Sequence, residues 1–136
     1  MVSEAKVITE VVEEEPDTLA KYFRRDYQIW PDKIAMRQKD LGIWIENNWE
    51  ECYEKSKAFA LGLLSLGFKE GDRVCLPRAE KTSPPPRVYG VYSIRGTIVG
   101  IWVDALPDEI VYYVTDSESR FMLVRDQEQA DKLLRV

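Results

Sequence analysis

Four sets of side chains in the sequence have types and spacing that could carry chemistry. Asp104, Asp108 and Glu109 gather carboxylates just after an apolar run, where a divalent cation or a general acid–base pair could be served. Gly96-Thr97-Ile98-Val99-Gly100 spaces two glycines in the manner of a phosphate-cradling loop, Cys52 and Cys75 supply two thiols, and Trp30, Trp44, Trp49 and Trp102 could line an aromatic substrate box. Each set has a simpler account. Pro107 followed by Asp108 and Glu109 has the composition of a helix first turn, whose dipole favours acids. The glycine segment lacks a Gly-Lys-Ser/Thr ending and lies within a strand-like run. Cys52 falls on an apolar helical stripe, and two thiols so far apart define no metal site, so both read as reduced core residues. Tryptophans on apolar faces are packing residues. The residues therefore nominate no catalytic, no cofactor-binding and no metal-ligating position.

Histidine is absent from the 136 residues, which excludes His-dependent triads, His-Glu-x-x-His zinc sites and imidazole acid–base catalysis. A net charge of −5 with few clustered cations argues against nucleic acid as a partner. The longest apolar stretch, near 97 to 103, is far short of the roughly 20 residues that cross a bilayer. The opening Met1-Val2-Ser3-Glu4-Ala5-Lys6 lacks a basic region followed by an apolar one, so a cytoplasmic protein is expected. The length suits one core.

Elements to hold such residues follow from periodicity. Residues 1–16, with Glu4, Glu10, Glu13, Glu14 and Glu15 ahead of Pro16, read as an acidic leader. From Asp17, a good N-cap, Leu19, Phe23, Tyr27 and Trp30 recur at helical spacing until Pro31. Ile34–Arg37 and Ile43–Ile45 flank Asp40-Leu41-Gly42 as a β-hairpin expected at a sheet edge. Asn48 with Glu51 has the form of a capping box. The helix it opens carries Trp49, Cys52, Tyr53, Ser56, Phe59, Ala60, Leu63 and Leu64 on one stripe and ends at Gly67. Gly71-Asp72 turns into a strand at 73–76. Thr97–Val103, apolar on both faces, predicts a buried parallel strand. A helix from Pro107 to about Thr115, a strand at 121–124 and a last helix capped by Asp126 complete an alternating strand–helix pattern. The expected fold class is α/β, a hairpin plus a doubly wound βαβ layer.

The segments Trp30-Pro31-Asp32-Lys33-Ile34-Ala35-Met36, Trp49-Glu50-Glu51-Cys52, and Leu66-Gly67 followed by Gly71-Asp72-Arg73-Val74 resemble, in order and spacing, the opening of AMP-forming acyl-CoA synthetases. These belong to the adenylate-forming superfamily, with luciferases and peptide-synthetase adenylation domains. Gly100-Ile101-Trp102-Val103-Asp104-Ala105-Leu106-Pro107-Asp108-Glu109, with Ser117 and Arg125-Asp126-Gln127-Glu128-Gln129, is similar to the long-chain fatty acid branch. The resemblance covers 17–76 and 96–136 and implies that 17–136 is an incomplete N-terminal subdomain of an AMP-binding domain. It also implies, for the full-length family, ATP, magnesium and coenzyme A as cofactors and a fatty acid as substrate. The Ser/Thr/Gly-rich phosphate loop, the Thr-Glu for magnesium, the ribose-binding Asp and the adenylation Lys of that family have no counterparts among these residues. The expectation is a fatty acid–CoA ligase fragment that is inactive alone, binds no cofactor and is completed by a separately encoded remainder. The alternative is a noncatalytic α/β module that binds protein. Self-association is expected in the absence of the remaining fold.

The Pro-rich segment 77–95 departs from the family, whose members carry a Trp/Tyr/Ala-rich helix there. Pro84-Pro85-Pro86 excludes a helix through residue 86, because proline removes a backbone donor and clashes with the preceding turn. One face of the sheet is then expected to lack cover. A reading-frame slip between about Leu76 and Gly96 would explain the departure, a true loop is the second account, and a polyproline ligand is the third.

Overall fold

In a computed structural model of the chain, the structure describes residues 15–78, 85–124 and 127–134. The acidic leader up to residue 14 and the expected Asp126 cap lie outside them. The first helix, α1, spans Leu19–Ile29. Its cap is Thr18 rather than Asp17: the Thr18 hydroxyl accepts from the Lys21 N–H at 3.3 Å, and Asp17 instead pairs with the Lys21 ammonium at 2.8 Å. Two adjacent residues of cap-forming type leave such a boundary open by one position. Phe23 is the buried residue of α1, and its ring stacks on Tyr89 at 4.1 Å.

Strands β1 (Ile34–Asp40) and β2 (Ile43–Asn48) form the expected hairpin, closed by Leu41 and Gly42 at φ of 46° and 84°. Positive φ at both turn residues matches the twist of the two strands. The hairpin is not an edge of the main sheet; it is a separate two-stranded sheet. The cause is at its base. Asn48 ends β2 and caps helix α2 (Trp49–Ser65), while the Trp49 and Glu50 N–H groups donate to Lys33 and Pro31 carbonyls at 3.0 and 3.1 Å. The hairpin is thereby tied to the start of α2. The capping box is complete: the Asn48 side chain accepts from the Glu51 N–H at 2.8 Å, and the Glu51 carboxylate accepts from the Asn48 N–H at 3.0 Å. At the other end Gly67 takes φ 86°, with Phe68 N–H donating to the Leu63 carbonyl and Gly67 N–H to Leu64. This left-handed termination satisfies the last carbonyls of α2.

Strands β3 (Arg73–Arg78), β4 (Thr97–Trp102) and β5 (Phe121–Met122) make a parallel sheet in the order β4-β3-β5. Helix α3 (Pro85–Ser93) leads from β3 to β4, α4 (Pro107–Asp116) leads to β5, and α5 (Gln127–Leu134) follows. The first crossover runs from β3 out to β4 and the second returns past β3 to β5, and their helices pack on opposite faces of the sheet, the doubly wound arrangement. Alternating side chains divide the core between the two faces. Val74 and Leu76 pack with Leu63, Phe68 and Val91 beneath α2 and α3. Cys75 and Ile101 pack with Ala105, Ile110 and Leu133 on the other face.

Two expectations are corrected here. A helix does form across Pro86: α3 opens at Pro85, with Pro86 buried and Arg87 following. First-turn residues have no intrahelical N–H partner to lose, so prolines are tolerated there and excluded only from the interior. Val88, Val91 and Ile94 then cover the sheet face expected to lie bare. Conversely, β4 ends the sheet formed by the described strands, with Ile101 buried and Trp102 exposed, where a strand buried on both faces was expected.

Asp72 holds the entry to β3. Its carboxylate accepts from the Lys69 N–H and from the Arg120 guanidinium, each at 2.7 Å, and these two partners hold its carboxyl below the usual range. Because the folded value lies below the unfolded one, the contribution is complete above about pH 4 and is lost as pH falls through the folded value. Urea midpoints measured from pH 6 to pH 2.5 should therefore fall less steeply for Asp72→Asn than for the parent chain. Parallel acid limbs would show that Asp72 is not coupled to folding.

Candidate functional site

The carboxylates nominated by the sequence sit at the top of α4, where they serve the helix. Glu109 accepts from the Leu106 N–H at 2.8 Å, closing the first turn, while Asp104 and Asp108 are exposed around it. Among the described residues, no group of three or more His, Cys, Asp or Glu side chains could hold a metal ion. Gly96 is a packing position. A Cβ there would stand 2.6 Å from Phe68 Cζ and 2.6 Å from Val91 Cγ1, and its N–H donates to the Val91 carbonyl. Gly100 lies in the β3–β4 ladder opposite Leu76. The five-residue segment is thus a tight entry into a strand.

Cys52 and Cys75 are free and fully buried, one on α2 and one on β3. Burial pushes the Cys52 thiol up, Lys55 opposes the shift and Glu51 adds to it. Both behave as core residues. The tryptophans do not converge. Trp49 packs 5.8 Å from Phe23, Trp30 and Trp44 lie under the Lys33 and Lys39 ammonium groups, and Trp102 stands out from β4. Packing explains Trp49, whereas Trp30, Trp44 and Trp102 are exposed.

Sequence periodicity did not reveal two concave surfaces. One, of about 640 Å³, lies between the hairpin, α2 and the start of α3, with Met36, Ile45, Phe59 and Pro86 as walls and Arg37, Lys55 and Arg87 around it. Arg37 pairs with Glu46 at 2.8 Å and Lys55 donates to the Asn47 side chain, so these cations are engaged locally. The other, of about 310 Å³, runs between α1 and α2. The i, i+3, i+4 spacing of Ser56, Ala60, Leu63 and Leu64 announced a buried face, but nothing in it told how far α1 would stand from α2.

Exposed apolar side chains stand on both faces of the hairpin, Ile43 and Ile45 on one and Trp44 on the other, and at Trp102, Leu106 and Tyr112 on β4 and at the start of and along α4. Among the described residues no strand pairs with the outer edge of β4. No described helix is long and apolar enough to cross a membrane.

Comparison with known proteins gives this geometry a context. A family model described as AMP-binding enzyme matches residues 23–136. The uncharacterized protein Rv1549 of Mycobacterium tuberculosis is 27% identical over 120 residues, which is 88% of this chain and 67% of that protein. A long-chain-fatty-acid–CoA ligase of Mycobacterium bovis, FadD15, is 26% identical over 89 residues, 65% of this chain and 15% of that enzyme. A fatty acyl-adenylate ligase from L. pneumophila, solved with acyl adenylate and pyrophosphate, superposes with a TM-score of 0.76 at 22% identity, covering 90% of this chain and 22% of that one. The chain thus spans 15% and 22% of these two enzymes.

Proposed function

From the premise that this chain belongs to the AMP-binding enzyme family, we propose that it is the N-terminal subdomain of a long-chain fatty acid–CoA ligase. The observation that carries this reading is the family match from 23 to 136, which runs through α3 and so includes the Pro-rich segment. The similarity to FadD15 and the long-chain motifs of 100–109 favour the fatty acid branch over its relatives. In this reading the chain contributes scaffold. Its two-faced sheet supports a domain whose phosphate, magnesium and ribose contacts are supplied by residues outside 1–136, and ATP, magnesium and coenzyme A are bound by the complete enzyme. The open outer edge of β4, flanked by exposed Trp102, Leu106 and Tyr112, is where further strands of that domain would add.

The 136-residue polypeptide alone is expected to give no carboxylate-dependent ATP–pyrophosphate exchange, because phosphoryl chemistry rests on positioned cations and phosphate-binding donors. Exchange with palmitate above a heat-killed control would overturn the scaffold reading. The exposed apolar side chains of the hairpin, Ile43, Trp44 and Ile45, favour a second reading, a noncatalytic module that binds protein. Light scattering separates the two: self-association supports a subdomain missing its cover, and a monodisperse, cooperatively melting monomer supports the module.

A further inference from the structure

The groove between α1 and α2 has the chemistry of a site for an anionic, single-chain amphiphile. Its floor and walls are apolar: Phe23 and Ala60 are buried beneath it, Leu61 and Leu64 line it while remaining largely exposed, and Ile94 closes one end. Apolar side chains left in water along a concave surface mark a place that gains by being covered. Three cations, Lys21, Arg24 and Lys57, are also among its lining residues, with no lining carboxylate. Two of them are held in place from outside. Lys21 pairs with Asp17 at 2.8 Å, and Lys57 stands 3.8 Å from Glu54, both pairs being well exposed. Surface pairs of this kind are weak and yield readily to a better partner. Arg24 has no ion-pair partner among the described residues.

The spacing explains why charge and apolar surface meet here. On α1, Lys21 and Arg24 are three apart and so share a face, with Phe23 turned under them. On α2, Lys57, Leu61 and Leu64 continue the stripe that begins with Tyr53 and Ser56. The hydroxyl hydrogens of the two serines in the wall are already engaged, Ser56 donating to the Cys52 carbonyl at 2.8 Å and Ser93 to the Tyr89 carbonyl at 2.7 Å, so the strongest polar groups left along the groove are its cations. A guanidinium beside an apolar slot suits a carboxylate, sulfate or phosphate head followed by an alkyl tail. At about 310 Å³ the space is that of a small molecule, too small for the apolar face of a partner helix.

We propose that this groove binds the alkyl chain of an anionic amphiphile against Leu61, Leu64 and Phe23, with Arg24 and Lys57 on its head group. This goes beyond the scaffold reading and does not depend on it. The test is calorimetry of the full chain with dodecyl phosphate below its micellar concentration, with dodecanoate and uncharged dodecanol as the other arms. Saturable 1:1 binding of both anions is expected, with dodecanol about tenfold weaker. Arg24→Gln with Lys57→Gln should weaken the anions about tenfold and leave dodecanol unchanged, and Leu64→Ser should weaken all three. The three positions are exposed, and circular dichroism checks that each variant keeps its fold. Equal binding of dodecanol and the anions, an unchanged affinity in the double variant, or uptake that never saturates would each overturn the proposal. Loss of binding only on micelle dilution would assign the signal to detergent assembly and overturn it as well.

Discussion

Phe68→Ala is expected to cost about 3–5 kcal/mol of folding stability, most of what a domain of this size has to lose. Phe68 follows the left-handed turn at Gly67, is nearly fully buried, and meets Phe121 with ring centroids 5.4 Å apart. Its ring also abuts the position where Gly96 enters β4, since a Cβ there would stand 2.6 Å from Phe68 Cζ. One side chain therefore joins the end of α2, the start of β4 and the β5 edge, and truncating it opens a cavity that three separate segments would have to close. Urea denaturation followed by circular dichroism measures the loss. A change below about 1 kcal/mol would show that β5 and the α2 turn are not packed as described.

Gly90→Val tests the Pro-rich crossover directly. A Cβ on Gly90 would stand 2.8 Å from the Ser56 carbonyl oxygen and 3.0 Å from Phe59 Cδ1. The first is backbone of α2 and cannot swing aside, so the two helices must separate. Overpacking of this kind costs about 1–3 kcal/mol, and a branched side chain adds its own penalty in a helix. Urea midpoints should fall accordingly, and Gly62→Val, at a helical glycine with open space around it, serves as the control. If 85–93 were an extended loop, Gly90→Val would change stability no more than the control.

Much of the scaffold is legible in the sequence because it is local. Asn48 and Glu51 announce their capping box, Gly67 its left-handed stop, Leu41-Gly42 its hairpin turn, and Pro107 its helix start; each signal acts within a few residues of itself. The misreadings concern position in three dimensions. Thr97–Trp102 is apolar on both faces yet ends the sheet of described strands, because strand order depends on which way two crossovers run. Pro85 and Pro86 speak against a helix until it is known that they fall at its first turn, where the missing donors have no acceptor to lose. Three of the four tryptophans read as packing residues are exposed, since periodicity places them on faces without showing what lies against those faces. The groove between α1 and α2 escaped for the same reason. Its charges and its leucines come from two helices whose separation no single stretch of chain encodes.

The central place of β3 also sets a timetable. The hairpin pairs residues that are neighbours in sequence, and α2 needs only its own turns, so both can form early. β3 must wait: it pairs with β4 across the whole α3 crossover, and it reaches β5 only when residue 74 finds residue 121. Closing such loops costs chain entropy before any contact repays it. During synthesis, therefore, the most buried strand of the sheet emerges with both of its edges open; one can close once β4 follows, and the other stays open until β5 has emerged.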